Sequence, residues 1–244
     1  MKQITPPDLS GKTALVTGAS RGIGRAISIA LAKAGAHVLA VASTPGALED
    51  VDDEIKNFGG TASLIPLDLT SGNAVEELSA ATIERFPQVD ILVLNAAILG
   101  ELAPLADTDP KVWQKVMDLN VNVNWRMLRA FDQQLHAGDG SHVMFLTSRV
   151  GGEVARAYWG AYGISKAALE MLAKTYAEEN KSRGVCVTTI DPGAMRTDMR
   201  ALAMPGEDPQ TLPEPERLSD MVYDLLQRAE PGWQRETFRD WSAS

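Results

Sequence analysis

The chain has 244 residues, of which 45% are hydrophobic, and its formal net charge is −9. This length and apolar content suffice for one α/β domain with a large core, while the acidic balance and scattered basic residues disfavour nucleic acid as a partner. No apolar run is long enough to span a membrane, and residues 1–7 contain no apolar signal region, so we expect a cytoplasmic protein. Cys186 is the only cysteine, which excludes an internal disulfide, and we predict no metal site.

Strand and helix patterns alternate along the chain, starting with an apolar run at 13–16 and a helical pattern that continues through residue 32. The alternation predicts a Rossmann-type, doubly wound α/β fold, with a parallel sheet of about seven strands covered by helices on both faces. We expect a single domain over residues 1–244. The later strands are predicted at 37–42, 62–67, 90–94, 142–147, 185–190 and 236–241, and the later helices at 47–58, 74–86, 110–135, 158–182 and 217–228.

Residues 17–24 read Thr-Gly-Ala-Ser-Arg-Gly-Ile-Gly, directly after the first apolar run. Gly18 would let the chain leave the strand in a tight turn, Gly22 would leave space for a pyrophosphate, and Gly24 would allow close helix–strand packing. The free N–H groups and the positive dipole end of the helix would then face the phosphates. The segment predicts a dinucleotide site. The other residues of this predicted site are Ser20, Arg21 and Ile23.

Tyr162 and Lys166 are four residues apart within a helical pattern, so they share one helix face. An ammonium group near a phenol stabilises the phenolate, and we therefore expect a lowered pKa for Tyr162. Such a tyrosine can donate a proton to a carbonyl oxygen or accept one from an alcohol. From the spacing alone, a surface tyrosine–lysine pair is the more common arrangement.

These two segments together resemble the short-chain dehydrogenase/reductase family, in its short single-domain branch, over residues 9–240. The resemblance implies a catalytic tetrad in which Tyr162 supplies the proton and Ser148, in the segment 146–151, hydrogen-bonds the substrate oxygen. Lys166 would hold the nicotinamide ribose, and Asn120, in the segment 118–122, would help hold a water in a proton path. The resemblance also implies cofactor contacts from Asp68, Leu69, Asn95, Ala96, Ala97, Pro192, Gly193 and Thr197.

Three positions depart from the family pattern. Ala97 stands where glycine is usual, which would narrow the cofactor channel, and Asp191 stands where asparagine is frequent. Ser148 precedes Tyr162 by fourteen residues, one more than the common spacing, so the intervening loop is expected to bulge.

The end of the second predicted strand indicates which cofactor is preferred. NAD sites usually carry an acid there for the ribose 2′-hydroxyl, whereas this chain reads Val-Ala-Ser-Thr at 41–44. Ser43 and Thr44 could donate hydrogen bonds to a 2′-phosphate, and Arg21 could pair with it. The sequence therefore favours NADP(H) over NAD(H).

The substrate is not defined by the sequence. Pocket residues are expected from 97–102, 152–159 and 195–215, where four prolines preclude a continuous helix and leave a mobile lid or a plain surface loop as alternatives. These segments contain candidates for an apolar pocket, namely Val154, Tyr158, Trp159, Met195, Met199 and Met204. The chain also resembles a bacterial subgroup of uncharacterised oxidoreductases related to 3-oxoacyl-acyl-carrier-protein reductases.

Two further hypotheses concern function and assembly. The alternative to an enzyme is a non-catalytic NADP-binding redox sensor or scaffold, although such proteins commonly lose the tyrosine–lysine pair. Small and apolar residues at 167–173 are more numerous than one core-facing stripe requires. They favour a homo-oligomer built on the helices 110–135 and 158–182, with a tetramer ahead of a dimer.

Overall fold

Seven parallel strands form one sheet in the computed structural model, which describes residues 4–138 and 140–243. The predicted absence of a signal region concerns residues 1–7, of which 1–3 lie outside the described residues. The strands are β1 (Thr13–Thr17), β2 (His37–Ala42), β3 (Thr61–Pro66), β4 (Ile91–Leu94), β5 (His142–Leu146), β6 (Cys186–Asp191) and β7 (Gly232–Thr237). Their order is β3-β2-β1-β4-β5-β6-β7, and every neighbouring pair is parallel.

Helices cover both faces of this sheet, so the predicted doubly wound architecture is confirmed. The helices are α1 (Gly22–Lys33), α2 (Pro45–Asn57), α3 (Ala74–Ile83), α4 (Pro110–Met117), α5 (Val123–Leu135), α6 (Arg149–Gly152), α7 (Gly160–Asn180), α8 (Asp198–Ala203), α9 (Leu218–Gln227) and α10 (Phe238–Ala243). Helices α1, α2 and α9 contribute to the core on one face, and α3, α5 and α7 to the core on the other. Alternate residues of β1 serve the two cores, with Val16 in the first and Leu15 in the second.

The predicted helix 110–135 is present, but it is interrupted by a π-helical turn at Asp118–Asn122. A π turn inserts one residue and disturbs the regular i→i−4 hydrogen bonds. The Asn124 side chain donates to the Asn120 carbonyl at 2.8 Å and so occupies one backbone acceptor in this turn. Asn120 and Asn122, which are poor helix formers, lie within this irregular turn.

The predicted last strand, 236–241, is wrong. Strand β7 begins at Gly232, in register with Cys186, and residues Phe238–Ala243 are helical. Thr237 explains the boundary, because its hydroxyl accepts a hydrogen bond from the Asp240 backbone N–H at 3.0 Å, as an N-cap does. The apolar residues Phe238 and Trp241 then follow helical rather than strand spacing.

The order of the strands reverses beside β1, whose two neighbours are β2 and β4. In an open parallel sheet, such a reversal leaves a crevice at the carboxyl ends of the strands, where ligands bind. The glycine-rich turn follows β1 at this crevice, and Asn95 follows β4. No helix in the described residues is long and apolar enough to cross a membrane.

Candidate active site

The glycine-rich turn is packed so closely that two of its positions admit only glycine. A Cβ atom at Gly24 would lie 2.1 Å from the Gly18 carbonyl oxygen, which explains the close contact between α1 and the end of β1. Gly18 has a φ of +66°, and a Cβ there would lie 2.8 Å from Nδ2 of Asn95. The turn therefore depends on both glycines for its shape.

Asn95 holds this turn from the neighbouring strand. Its Nδ2 donates to the carbonyl oxygens of Thr17, at 2.9 Å, and Gly18, at 3.2 Å. The Thr17 hydroxyl in turn accepts from the backbone N–H groups of Asn95 and Ala96, at 3.0 and 3.1 Å. Asn95 thus fixes the geometry of the predicted phosphate site, and Ala96 and the half-buried Ala97 continue the chain beside it.

The first turn of α1 suits an anionic ligand. No side chain caps its N-terminus, and it contains no acidic residue. Its N–H groups are therefore free to bind the pyrophosphate of a dinucleotide. Gly22 has a φ of +53° and faces the Thr197 side chain, so Thr197 from the segment after β6 lies across this turn.

Arg21 lies at the N-cap position of α1 and pairs with Asp198, with 3.7 Å between Nη1 and Oδ2. Both side chains are largely exposed, so this ion pair is weak and a phosphate could compete for the guanidinium. Ser43 and Thr44 are exposed directly after β2, with no acid between that strand and α2.

The remaining predicted cofactor residues follow β3 and β6. The pKa of Asp68 is lowered by hydrogen bonds from the Thr70 hydroxyl and backbone, at 2.7 and 2.9 Å. Leu69 is buried. After β6, Gly193 has a φ of +68° and donates its N–H to Asp191 at 3.0 Å, while Thr197 caps α8 by accepting from the Arg200 N–H. Pro192 and Gly193 both line the cavity beside Ser148.

Tyr162 and Lys166 lie one turn apart on α7, and both side chains are buried. The Lys166 ammonium lies 5.5 Å from the centroid of the Tyr162 ring and donates to the Leu146 carbonyl oxygen at 2.7 Å. Ser148 follows β5 on the same side and accepts a hydrogen bond from the Val150 N–H at 3.2 Å. The three predicted catalytic side chains from β5 and α7 are therefore neighbours in space.

The pKa of Tyr162 differs from the expectation. Burial raises the pKa of its phenol to about 12, against a hydrogen-bonding contribution from Ser148 that lowers it. The net shift is therefore opposite in direction to the predicted lowering, because burial of the phenol is the dominant effect on its pKa. Burial also lowers the pKa of Lys166 to about 8, which the nearby Glu170 opposes. At neutral pH the phenol is thus protonated and able to act as an acid.

Asn120 is fully buried in the π-helical turn. Its Oδ1 accepts from the Ile98 N–H at 2.9 Å, and its Nδ2 donates to the Ile98 carbonyl at 2.9 Å and to the Ser165 hydroxyl at 3.0 Å. The side chain therefore ties the loop after β4 to α7, within one residue of Lys166. Both amide protons of Asn120 are engaged in these bonds. Asn120 could therefore take part in the predicted water path only as a hydrogen-bond acceptor.

Arg235 on β7 is a residue that the sequence did not identify. Its guanidinium lies 2.6 Å from Glu153, 3.3 Å from Glu170 and 3.9 Å from Asp191. These carboxylates belong to the loop after Ser148, to α7 and to the end of β6. Arg235 therefore connects three segments of the site. The sequence did contain one signal for this cluster, namely Glu170. It lies four residues after Lys166 on the same buried helix face, where a carboxylate requires a cation nearby.

A cavity of about 500 Å³ opens beside Ser148 at the carboxyl ends of β5, β6 and β7. Trp159, Met199 and Met204 pack with Tyr162 as expected for pocket residues, and Leu99 and Leu102 join them. Met195 does not, because it is buried in the core with α1. Val154 and Tyr158 line an adjoining groove of about 710 Å³ over the outer face of α7, which shares Arg156 and Trp159 with this cavity. The segment 195–215 contains the short helix α8 and two isolated 3₁₀ turns, in keeping with its prolines.

Comparison with known proteins assigns this architecture to a family. Residues 12–208 match the short chain dehydrogenases. The chain belongs to the short-chain dehydrogenase family. It is accordingly an oxidoreductase of the kind that typically acts on alcohols and carbonyls, and the resemblance inferred from the sequence is confirmed.

Individual short-chain dehydrogenases are similar over most of the chain. The uncharacterized oxidoreductase YciK of Escherichia coli K12 is 37% identical over 222 residues, covering 89% of this chain and 87% of YciK. A 3-oxoacyl-[acyl-carrier-protein] reductase of Synechocystis is 34% identical over 192 residues, covering 78% of this chain and 77% of the reductase. A short-chain dehydrogenase structure from Shigella flexneri, complexed with NADP, has a TM-score of 0.87 and 33% identity, covering 95% of this chain and 98% of that one.

Proposed function

We propose that this chain is an NADP(H)-dependent oxidoreductase that interconverts a carbonyl and an alcohol, with Tyr162 as the general acid and base. The observation that carries the proposal is the grouping of Tyr162, Lys166 and Ser148, of which Ser148 lines a cavity at the carboxyl edge of the sheet. We further propose that one domain, residues 1–244, contains both the cofactor site and the catalytic residues, and that the protein is cytoplasmic.

The bound nicotinamide would supply or accept the hydride. In the direction of reduction, the protonated phenol of Tyr162 donates its proton to the substrate oxygen, and Ser148 hydrogen-bonds the same oxygen as charge develops there. The Lys166 cation would stabilise the resulting phenolate and hold the ribose hydroxyls. Asn120 positions α7 and the loop after β4, so that these groups keep their spacing.

The preference for NADP(H) is supported by the charges around the glycine-rich turn. The described residues between β2 and α2 carry no carboxylate that would repel a 2′-phosphate, and Arg21 lies at the start of α1. Related chains from Shigella flexneri and Escherichia coli CFT073 were solved with NADP and NADPH, which supports the same choice.

Replacing Arg21 by glutamine should weaken NADP binding by roughly one to two orders of magnitude, because a charge-assisted contact to phosphate is lost. Binding of NAD, which lacks the 2′-phosphate, should hardly change and serves as the internal control. Ala42→Asp should act in the same direction by repulsion. Dissociation constants for both cofactors, measured by fluorescence titration, check this. Tighter binding of NAD than NADP by the unsubstituted protein would contradict the proposal.

The activity is tested directly by following NADPH oxidation with a panel of acyl-carrier thioesters, diketones, aldehydes and quinones. The proposal expects at least one of these carbonyl classes to be reduced. Binding of NADPH without consumption by any class would instead favour the redox sensor or scaffold.

We also propose a homo-oligomer built on α4, α5 and α7, with a tetramer ahead of a dimer. On α7, Leu169 and Ala173 are buried in the subunit core, whereas Ile164, Ala167 and Met171 are exposed on the outer face. Small and apolar side chains allow close approach of the same helix from a second copy. Light scattering should give a mass of several chains at micromolar concentration, and a mass near 26.3 kDa would contradict the proposal.

A further inference from the structure

We propose that the substrate carries an anionic group, a carboxylate or a phosphate, which the Arg156 guanidinium binds while the substrate carbonyl lies at Tyr162. This inference rests on the proposed function, because it places the reacting carbonyl at the Tyr162 hydroxyl. It adds the chemical class of the substrate and names the residue that selects it.

The first argument is the composition of the cavity beside Ser148. Arginines from three segments of the chain line it, although the whole chain has a net charge of −9. Its lining contains four arginines and two carboxylates: Arg149, Arg156, Arg200 and Arg239, with Glu153 and Asp191. The two carboxylates both lie within 4.0 Å of Arg235, which is not among the lining residues. They are therefore partly neutralised from behind, and the cavity presents mainly guanidinium groups to a ligand.

The second argument is that three of these arginines already have carboxylate partners. Arg149 lies 3.4 Å from Glu153, Arg200 lies 2.5 Å from Glu207, and Arg239 lies 3.2 Å from Asp240. Arg156 forms no ion pair within 4.0 Å in the part of the chain that the structure describes, and its charge is only the smallest of the effects that lower the pKa of Glu207. Its five N–H donors match the geometry of a carboxylate or a phosphate.

The third argument is the position of Arg156 relative to the catalytic tyrosine. Its guanidinium lies over the Trp159 ring, 5.0 Å from the centroid, and one of its N–H groups points to the Met204 sulfur at 3.6 Å. Trp159 contacts Tyr162 edge-on, with 5.8 Å between the ring centroids, and Met204 packs in the same cluster. Two neighbours of Tyr162 thus hold the unpaired guanidinium at the cavity that Ser148 lines. The cavity of about 500 Å³, which Ser148, Trp159 and Arg156 line together, has room for a small oxo acid.

The test compares acids with neutral compounds of nearly the same shape. Acetoacetate is paired with methyl acetoacetate, and dihydroxyacetone phosphate with dihydroxyacetone, so that the two pairs separate a carboxylate from a phosphate requirement. Initial rates of NADPH oxidation give kcat/KM for each compound with the unsubstituted protein, Arg156→Gln and Arg156→Lys. Arg85→Gln is the matched control, because Arg85 is also exposed and also stacks on an aromatic ring, Phe86, at 5.1 Å.

We expect the unsubstituted protein to prefer one of the acids over its neutral partner. In Arg156→Gln, kcat/KM for that acid should fall roughly 10- to 100-fold, mainly through KM, while the neutral partner changes less than about threefold. Arg156→Lys should recover part of the loss, because the charge returns without the planar fork. Arg85→Gln should behave like the unsubstituted protein.

Equal loss for acid and neutral compound in Arg156→Gln, or no preference for either acid, overturns the proposal. Reduction of neutral ketones alone would overturn it and leave the proposed function intact. If no compound is reduced, calorimetric titration of acetoacetate and of inorganic phosphate into the protein with NADP decides. Binding that Arg156→Gln weakens would support the anion site, and binding that is absent or unchanged in the variant would overturn it.

Discussion

Replacement of Tyr162 by phenylalanine should abolish turnover and leave cofactor binding nearly intact. The substitution keeps the ring and its contact with Trp159, and removes only the hydroxyl that donates the proton. Loss of general acid catalysis should lower kcat by roughly 10²- to 10⁴-fold or more. Single-turnover rates with NADPH, together with cofactor titrations, measure the two effects separately.

Tyr176→Phe provides the matched control for this experiment. Tyr176 lies on the same helix and is also buried, but its hydroxyl donates to Asp132, on α5. Its loss should affect stability and not the catalytic rate. Lys166→Met should lower both turnover and NADP affinity, because Lys166 would stabilise the phenolate and hold the ribose. Activity close to that of the unsubstituted protein in Tyr162→Phe would remove Tyr162 from the mechanism.

Replacement of Arg235 by methionine should destabilise the fold by about 3–5 kcal/mol, as removal of one partner from a buried ionic cluster usually does. The substitution would leave the buried carboxylates of Glu170 and Asp191 without their cation. Burial already raises the pKa of Asp191, and loss of Arg235, which lowers it, should raise it further. Denaturant unfolding at neutral pH measures the loss.

The pH dependence identifies the cause of this destabilisation. Carboxyl groups whose folded pKa is raised above the unfolded value destabilise the fold as pH rises through that range, because the folded state then holds an unfavourable charge. The deficit of Arg235→Met should therefore shrink as the pH is lowered towards about 4. Adding Glu170→Gln should recover part of the lost stability, whereas Arg239→Met, at an exposed ion pair, should cost little. A deficit independent of pH, equal to that of Arg239→Met, would contradict this account.

Local patterns predicted the framework of the fold and most of the site. The glycine-rich turn, the alternation of strands and helices, and the four-residue spacing of Tyr162 and Lys166 depend on neighbouring residues, so the sequence displays them directly. The end of the chain was misread, because the pattern around Phe238 and Trp241 was assigned to a strand, whereas their spacing suits a helix capped by Thr237. The pKa of Tyr162 depends on burial by segments far away in sequence, and no spacing rule reports that.

The Arg235 cluster was missed for the same reason. Its members are separated by up to 82 residues, and they meet only because β6, β7 and α7 are neighbours in the folded chain. Taken alone, each of these charged residues has the sequence pattern of a solvent-exposed side chain. The sequence therefore predicts the residues that would perform the chemistry more readily than those that hold them in place.

The π-helical turn at Asp118–Asn122 changes which residues face the same side of the helix before and after it. One inserted residue rotates everything after it by roughly 100° around the helix axis relative to an uninterrupted α-helix. The heptad positions counted from Pro110 therefore do not continue beyond Asn122, and the outward-facing stripe of α4 is not the stripe of α5. A design that copied the surface of this long helix onto an ideal α-helical backbone would present its second half to the wrong neighbours.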